Sequence, residues 1–152
     1  MNSGHPCAVR LTPMANFKRL QLRAQGCLIG LAVGDALGRP AENMSPQQVR
    51  KTWGRLTGFV ADQPQGSDDT EYAMLTAMGL LKYREQFTHE NMERLWRETV
   101  VAQEGPFGGA GFSEMLAIRN LDQGRNAPRS GQHSHSWSDG LAMRVARLHN
   151  QQ

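Results

Sequence analysis

Glycine recurs at Gly26, Gly30, Gly34 and Gly38, every fourth residue of an otherwise apolar run, GCLIGLAVGDALG. That spacing places the four along one side of an α-helix. An interior glycine costs a helix about 1 kcal/mol relative to alanine, so a row of them needs a compensating gain. Two gains are open: tight packing of another helix, or close approach of a ligand to bare backbone. Either way, residues 15–37 are expected to form a helix. Arg39-Pro40 ends it, because the residue before proline avoids helical dihedrals. The run is short and carries Asp35, so it is not a membrane span.

The remaining punctuation is also helical. Ser45-Pro46-Gln47-Gln48 has the form of a capping box with proline at the first helical position, and Gly54 closes the short helix that follows. Residues 54–66 read as a loop. GSDDTEYAM opens a helix that runs to Tyr83, and Thr88 caps another that runs to Gln103. GPFGGAG at 105–111 reads as a glycine loop, 112–121 as a helix, 122–137 as a polar loop, and the chain from Asp139 as helical again. No segment alternates with period two between turn signals, so no strand is expected. The fold class is all-α with long connections. Residues 1–14 form a flexible arm, 15–146 the domain, and 147–152 a divergent tail. Met74, Met78 and Leu81 fall at core spacing, as does Trp96.

Composition narrows the class. The chain has 152 residues and a net charge of +3, with its Lys and Arg scattered rather than gathered into a stripe. Nucleic acid is therefore not the expected partner. The two cysteines, Cys7 and Cys27, make neither a disulfide framework nor a metal pair, and no apolar run near the start resembles a secretion signal. A reducing cytoplasm is the expected compartment, with no membrane association. His133 and His135 stand two apart in a glycine- and serine-rich stretch, which favours a solvated loop over a ligand pair.

The stretch Ser67-Asp68-Asp69-Thr70-Glu71 has two readings. In one, Ser67 caps the helix and the acids complement its dipole. In the other, adjacent carboxylates flanked by hydroxyls offer hard oxygen ligands to magnesium or manganese.

The order of these motifs resembles the ADP-ribosylglycohydrolase family, which includes crystallin J1. The likeness is carried by the glycine run through Glu42, then Ser67 to Glu71, the 105–111 loop, and Ser138-Asp139-Gly140-Leu-Ala-Met-Arg-Val-Ala146. The resemblance implies a compact orthogonal helical bundle, here truncated, and a hydrolase that cleaves the glycosidic bond between ADP-ribose and an acceptor at a centre of two Mg2+ or Mn2+. It implies Ser67, Asp68 and Asp69 as metal ligands and Glu42 as a catalytic carboxylate near them, in water activation or substrate gating. It further implies Gly105, Gly108 and Gly109 near the diphosphate, and Ser138, Asp139 and Gly140 near the ribose. The family's second cluster, Asp-x-Asp-Thr, has no counterpart here: Asp122 and Asp139 are isolated, and after Ala146 the chain reads RLHNQQ. The expectation is a truncated N-terminal half that holds at most one cation. Three readings stay open: a hydrolase, a non-catalytic remnant binding a cation or nucleotide, and a crystallin-like structural protein. An exposed apolar face, prone to self-association, is expected as well.

Overall fold

The computed structural model describes residues 14–103, 107–134, 138 and 140–145; the arm and tail expected at the two ends lie almost wholly outside them. Helix α1 (Met14–Gly38) leads into a 3₁₀ turn (Arg39–Ala41) and α2 (Pro46–Trp53). Helix α3 (Asp68–Tyr83) and a second 3₁₀ turn (Arg84–Gln86) precede α4 (His89–Trp96), which widens into a π-helical turn (Arg97–Val101). Helix α5 (Phe112–Asp122), a third 3₁₀ turn (Arg129–Gly131) and a single turn, α6 (Ala142–Val145), complete the described fold. The all-α expectation holds, with no strand among the described residues. No described helix is long and apolar enough to cross a membrane.

The boundaries follow local chemistry. Ser45 Oγ accepts the Gln48 N–H while the Gln48 side chain accepts the Ser45 N–H, closing the capping box. Thr88 Oγ1 accepts the Asn91 N–H at the start of α4. The expected single helix from Thr88 to Gln103 is an α-helix only as far as Trp96. There Arg97 turns back: Nε donates to Glu93 Oε1 at 2.8 Å and a terminal nitrogen to the Leu121 carbonyl at 2.6 Å. Glu93 Oε2 accepts the Ala127 N–H at 2.6 Å. These bonds tie α4 to the end of α5 and the loop beyond it.

The core gathers around α3. Tyr72, Leu75, Leu95 and Val100 form its buried centre, flanked by Trp96, Phe107, Ile118 and Met143. Trp96 stacks on Tyr72 at 5.1 Å between ring centres, which bears out its core assignment, and Phe107 meets the same ring edge-on at 4.9 Å.

Two packing expectations are corrected. Met74, Met78 and Leu81 are 46%, 49% and 68% exposed, not core. Helix α3 is apolar around most of its circumference, so periodicity shows that it wants cover but not which side receives it. Tight packing of a described helix against the glycine row is not found either. A side-chain carbon built at Gly26, Gly30, Gly34 or Gly38 meets no atom within 4 Å. Helix α1 lies against α3, yet none of residues 17–38 is buried.

Candidate functional site

The site grows from the start of α3 and the carboxylate that reaches it from α1. Ser67 is the N-cap residue, its hydroxyl accepting the Asp69 N–H at 3.3 Å. Asp35 is the anchor. Its Oδ2 accepts the Ser67 N–H at 2.7 Å, the Thr70 N–H at 3.2 Å and the Thr70 hydroxyl, and its Oδ1 accepts the Ser67 hydroxyl at 2.8 Å. Burial pushes the Asp35 carboxyl up. The hydrogen bonds from Thr70 and Ser67 outweigh it and hold the group below the ordinary aspartate value. An ionised carboxylate at a helix N-terminus also gains from the dipole. Sequence reasoning took Asp35 only as a charge that rules out a membrane span. The available signal was an acid inside an apolar helix, followed by a helix start with hydroxyls at its first and fourth residues.

Asp68 is half-buried, and Asp69 and Glu42 are exposed. Burial, and then the like charges of Asp69, Glu114 and Glu42, lift the Asp68 carboxyl above the ordinary aspartate value against its own backbone N–H. Glu42 follows the 3₁₀ turn and lines, with Asp69, a groove of about 480 Å³ floored by Gly30, Gly34 and Gly38. The structure therefore brings Glu42 and Asp69 to one groove from two distant stretches of sequence, with Asp68 within reach of both charges.

Gly109 backs directly onto this cluster. Its φ is +100°, and a Cβ there would lie 2.6 Å from Asp68 Oδ1, so only glycine suits the position. Gly108 faces open space. Gly140 is buried, and a Cβ on it would overlap the Glu114 carboxylate. Its N–H donates to Ser138 Oγ at 3.4 Å. Gly105 and Asp139, expected on the substrate side, lie outside the described residues, as do Trp137 and His135. His133 is half-buried with its ring edge against Phe112, rather than solvated.

Behind the cluster lies a pair that the sequence left undecided. Arg144 could meet a phosphate or an internal carboxylate; it meets Glu114 at 3.0 Å, and Glu114 is 7% exposed. The guanidinium also sits 4.5 Å over the Tyr72 ring and 5.4 Å over Trp96. Burial draws Arg144 below the ordinary arginine value, with Glu114, Tyr72 and Asp68 opposing. The Tyr72 hydroxyl is pushed up to about 12, chiefly by burial and against the Arg144 charge.

These donors can be tested against a hard dication. Ser67 Oγ spends its proton on Asp35 and one lone pair on Asp69 N–H, which leaves a second lone pair. The Asp68 and Asp69 carboxylates add hard oxygens, and like charges from Asp69, Glu114 and Glu42 act on Asp68. Among the described residues, no three His, Cys, Asp or Glu side chains draw together into a cage. The set fits Mg2+ or Mn2+ held by one or two carboxylates with most of its waters retained.

The profile of the ADP-ribosylglycohydrolase family matches residues 17–149. An uncharacterized protein of Archaeoglobus fulgidus is 33% identical over 137 residues, a match that covers 84% of this chain and 42% of that protein. The chain thus spans about two-fifths of the length of the relative it matches. No solved structure matches it. With a family match across most of its length, the chain belongs to the ADP-ribosylglycohydrolase family.

Proposed function

We propose that this chain carries the anionic part of a hydrolase site that cleaves the glycosidic bond between ADP-ribose and an acceptor. The observation that carries the reading is that Glu42 and Asp69 line one glycine-floored groove, with Asp68 near enough to feel both charges. Ser67, Asp68 and Asp69 would hold one Mg2+ or Mn2+, which supplies Lewis acidity and a water of lowered pKa when bound. Glu42, exposed at the groove, takes the proton of the attacking water. Asp35 fixes the direction of Ser67 and so of its free lone pair. Gly105, Gly108 and Gly109 give the diphosphate access to backbone, and Ser138 and Asp139 border the ribose. Gly140 contributes shape rather than a donor, since its N–H is already engaged. The two-cysteine composition suits a reducing, cytoplasmic setting.

One observation favours a second reading, a binder without turnover: no three-ligand group stands among the described residues. The assay is release of ADP-ribose from an ADP-ribosylated protein in the presence of Mn2+, with Asp68→Ala and Glu42→Gln as controls. Release by the parent that both variants abolish supports hydrolysis. No release, with a melting temperature that rises on adding Mn2+, supports the binder. No release and no response to Mn2+ removes both.

A further inference from the structure

Glu114 is a buried acid that stands apart from the groove at Glu42 and Asp69. It pairs with Arg144 at 3.0 Å. Stability is a weak reason to bury such a pair. An apolar pair of similar volume holds two helices as well or better, because the charges give up their hydration. What a buried pair can fix is geometry. Two glycines face this carboxylate. A Cβ at Gly111 would stand 2.9 Å from Glu114 Oε2, and a Cβ at Gly140 would overlap Oε1. The first approach is local, within the opening turn of α5; the second comes from a segment well beyond that helix. Both backbones close on one pinned carboxylate, and a side chain at either position would force Glu114 to move. Gly111 ends the glycine loop, and Gly140 belongs to the turn in which its N–H meets Ser138 Oγ.

Arg144 is itself held by α3, with its guanidinium 4.5 Å over the Tyr72 ring. Tyr72 stands four residues after Asp68, on the same face of that helix. Gly109 in turn backs onto Asp68, where a Cβ would lie 2.6 Å from Oδ1. The contacts therefore run from Asp68 through Tyr72, Arg144 and Glu114 to Gly111, and return by Gly109 to Asp68. We propose that Glu114 is a positioning residue for the substrate side of the site: held by Arg144, its carboxylate sets the glycine loop and the turn at Ser138 and Gly140 in fixed places beside Asp68. The inference rests on the reading above for what those two segments receive, the diphosphate and the ribose. Glu114 touches neither group and acts through the backbone on either side of it. A ligand that spans both segments loses affinity when they drift, because a small misplacement is enough to spoil oriented contacts. The Asp35 anchor of Ser67 does not pass through Glu114, so the acidic helix start keeps its form without the pair.

Arg144→Met alone strands a buried carboxylate and should melt early. The test therefore replaces both partners, Glu114→Met with Arg144→Met, in the full 152-residue chain. The double variant should melt within about 3 °C of the parent, or above it. Amide hydrogen exchange should quicken at least about tenfold at residues 107–111 and 140–144 and stay unchanged in α2. Mn2+ should raise the melting temperature of parent and variant alike. ADP-ribose, titrated by calorimetry with Mn2+ present, should bind the variant at least about tenfold more weakly. A merely structural pair, replaced without loss of stability, would move neither exchange nor affinity. The proposal is overturned if the two segments exchange as in the parent, or if they loosen and the affinity for ADP-ribose holds. It is overturned as well if the variant melts far below the parent, since the pair then serves stability, or if the variant alone loses its response to Mn2+, since the pair then acts on the metal ligands. If the parent responds to neither Mn2+ nor ADP-ribose while exchange still quickens in the variant, the reading above fails and Glu114 is a packing residue.

Discussion

Replacing Asp35 tests whether one carboxylate organises the site. Its oxygens accept two backbone N–H groups and two hydroxyls from Ser67 and Thr70. In Asp35→Ala the hydroxyls can rotate to other partners, but the Ser67 and Thr70 N–H groups cannot. Each part-buried donor left unpaired costs about 1–3 kcal/mol. Alanine is the better helix former, which returns roughly 0.5 kcal/mol. The net loss is about 1.5–5.5 kcal/mol, or roughly 3–20 °C in melting temperature for a chain of this size. Asp35→Asn keeps one acceptor oxygen where three donors converge and should lose about half as much. Thermal melts followed by far-UV circular dichroism read both variants. A double-mutant cycle with Thr70→Val then isolates the contact, with a coupling of about 1 kcal/mol or more expected. If Asp35→Ala melts within about 2 °C of the parent, or if the two changes simply add, the carboxylate is not the clamp inferred here.

Glu93 gives a pH signature. Burial raises its carboxyl, but the Ala127 N–H and Arg97 outweigh burial and hold it below the usual glutamate value of 4.5. Its stabilisation is therefore full above that value and fades as pH falls through the lower folded-state value. Glu93→Gln should cost about 2 kcal/mol at pH 7, and the gap from the parent should narrow in melts below pH 4.5. The Tyr72 hydroxyl is buried with no hydrogen-bond partner among the described residues, so Tyr72→Phe should raise stability by about 1 kcal/mol in chemical denaturation. A loss would mean that the hydroxyl has a partner. Gly140→Ala drives a methyl into the Glu114 carboxylate and should break its pairing with Arg144, at about 3–5 kcal/mol by the same measurement. Gly108→Ala, in open space, should be close to neutral.

Local chemistry made much of this fold legible in one dimension. Capping at Ser45, Ser67 and Thr88 and the stop at Arg39-Pro40 are short-range effects, and the helices begin and end where those residues require. The acidic helix start stood out as adjacent carboxylates flanked by hydroxyls, which also suit a helix cap, and Glu42 stood out only through the family resemblance. Asp35 did not stand out, because its partners lie 32 and 35 residues away. Nor did Glu114, whose importance is its burial against Arg144 and Gly140.

The sequence by itself determined where the helices lie, since hydrogen bonds within one or two turns set those limits. Which sides of the helices are covered was decided only in three dimensions. Met74, Met78 and Leu81 have the spacing of core residues and stand exposed, and the glycine row has the spacing of a packed seam and faces open space. Periodicity records that a face is apolar; burial depends on a neighbour whose position no local pattern contains.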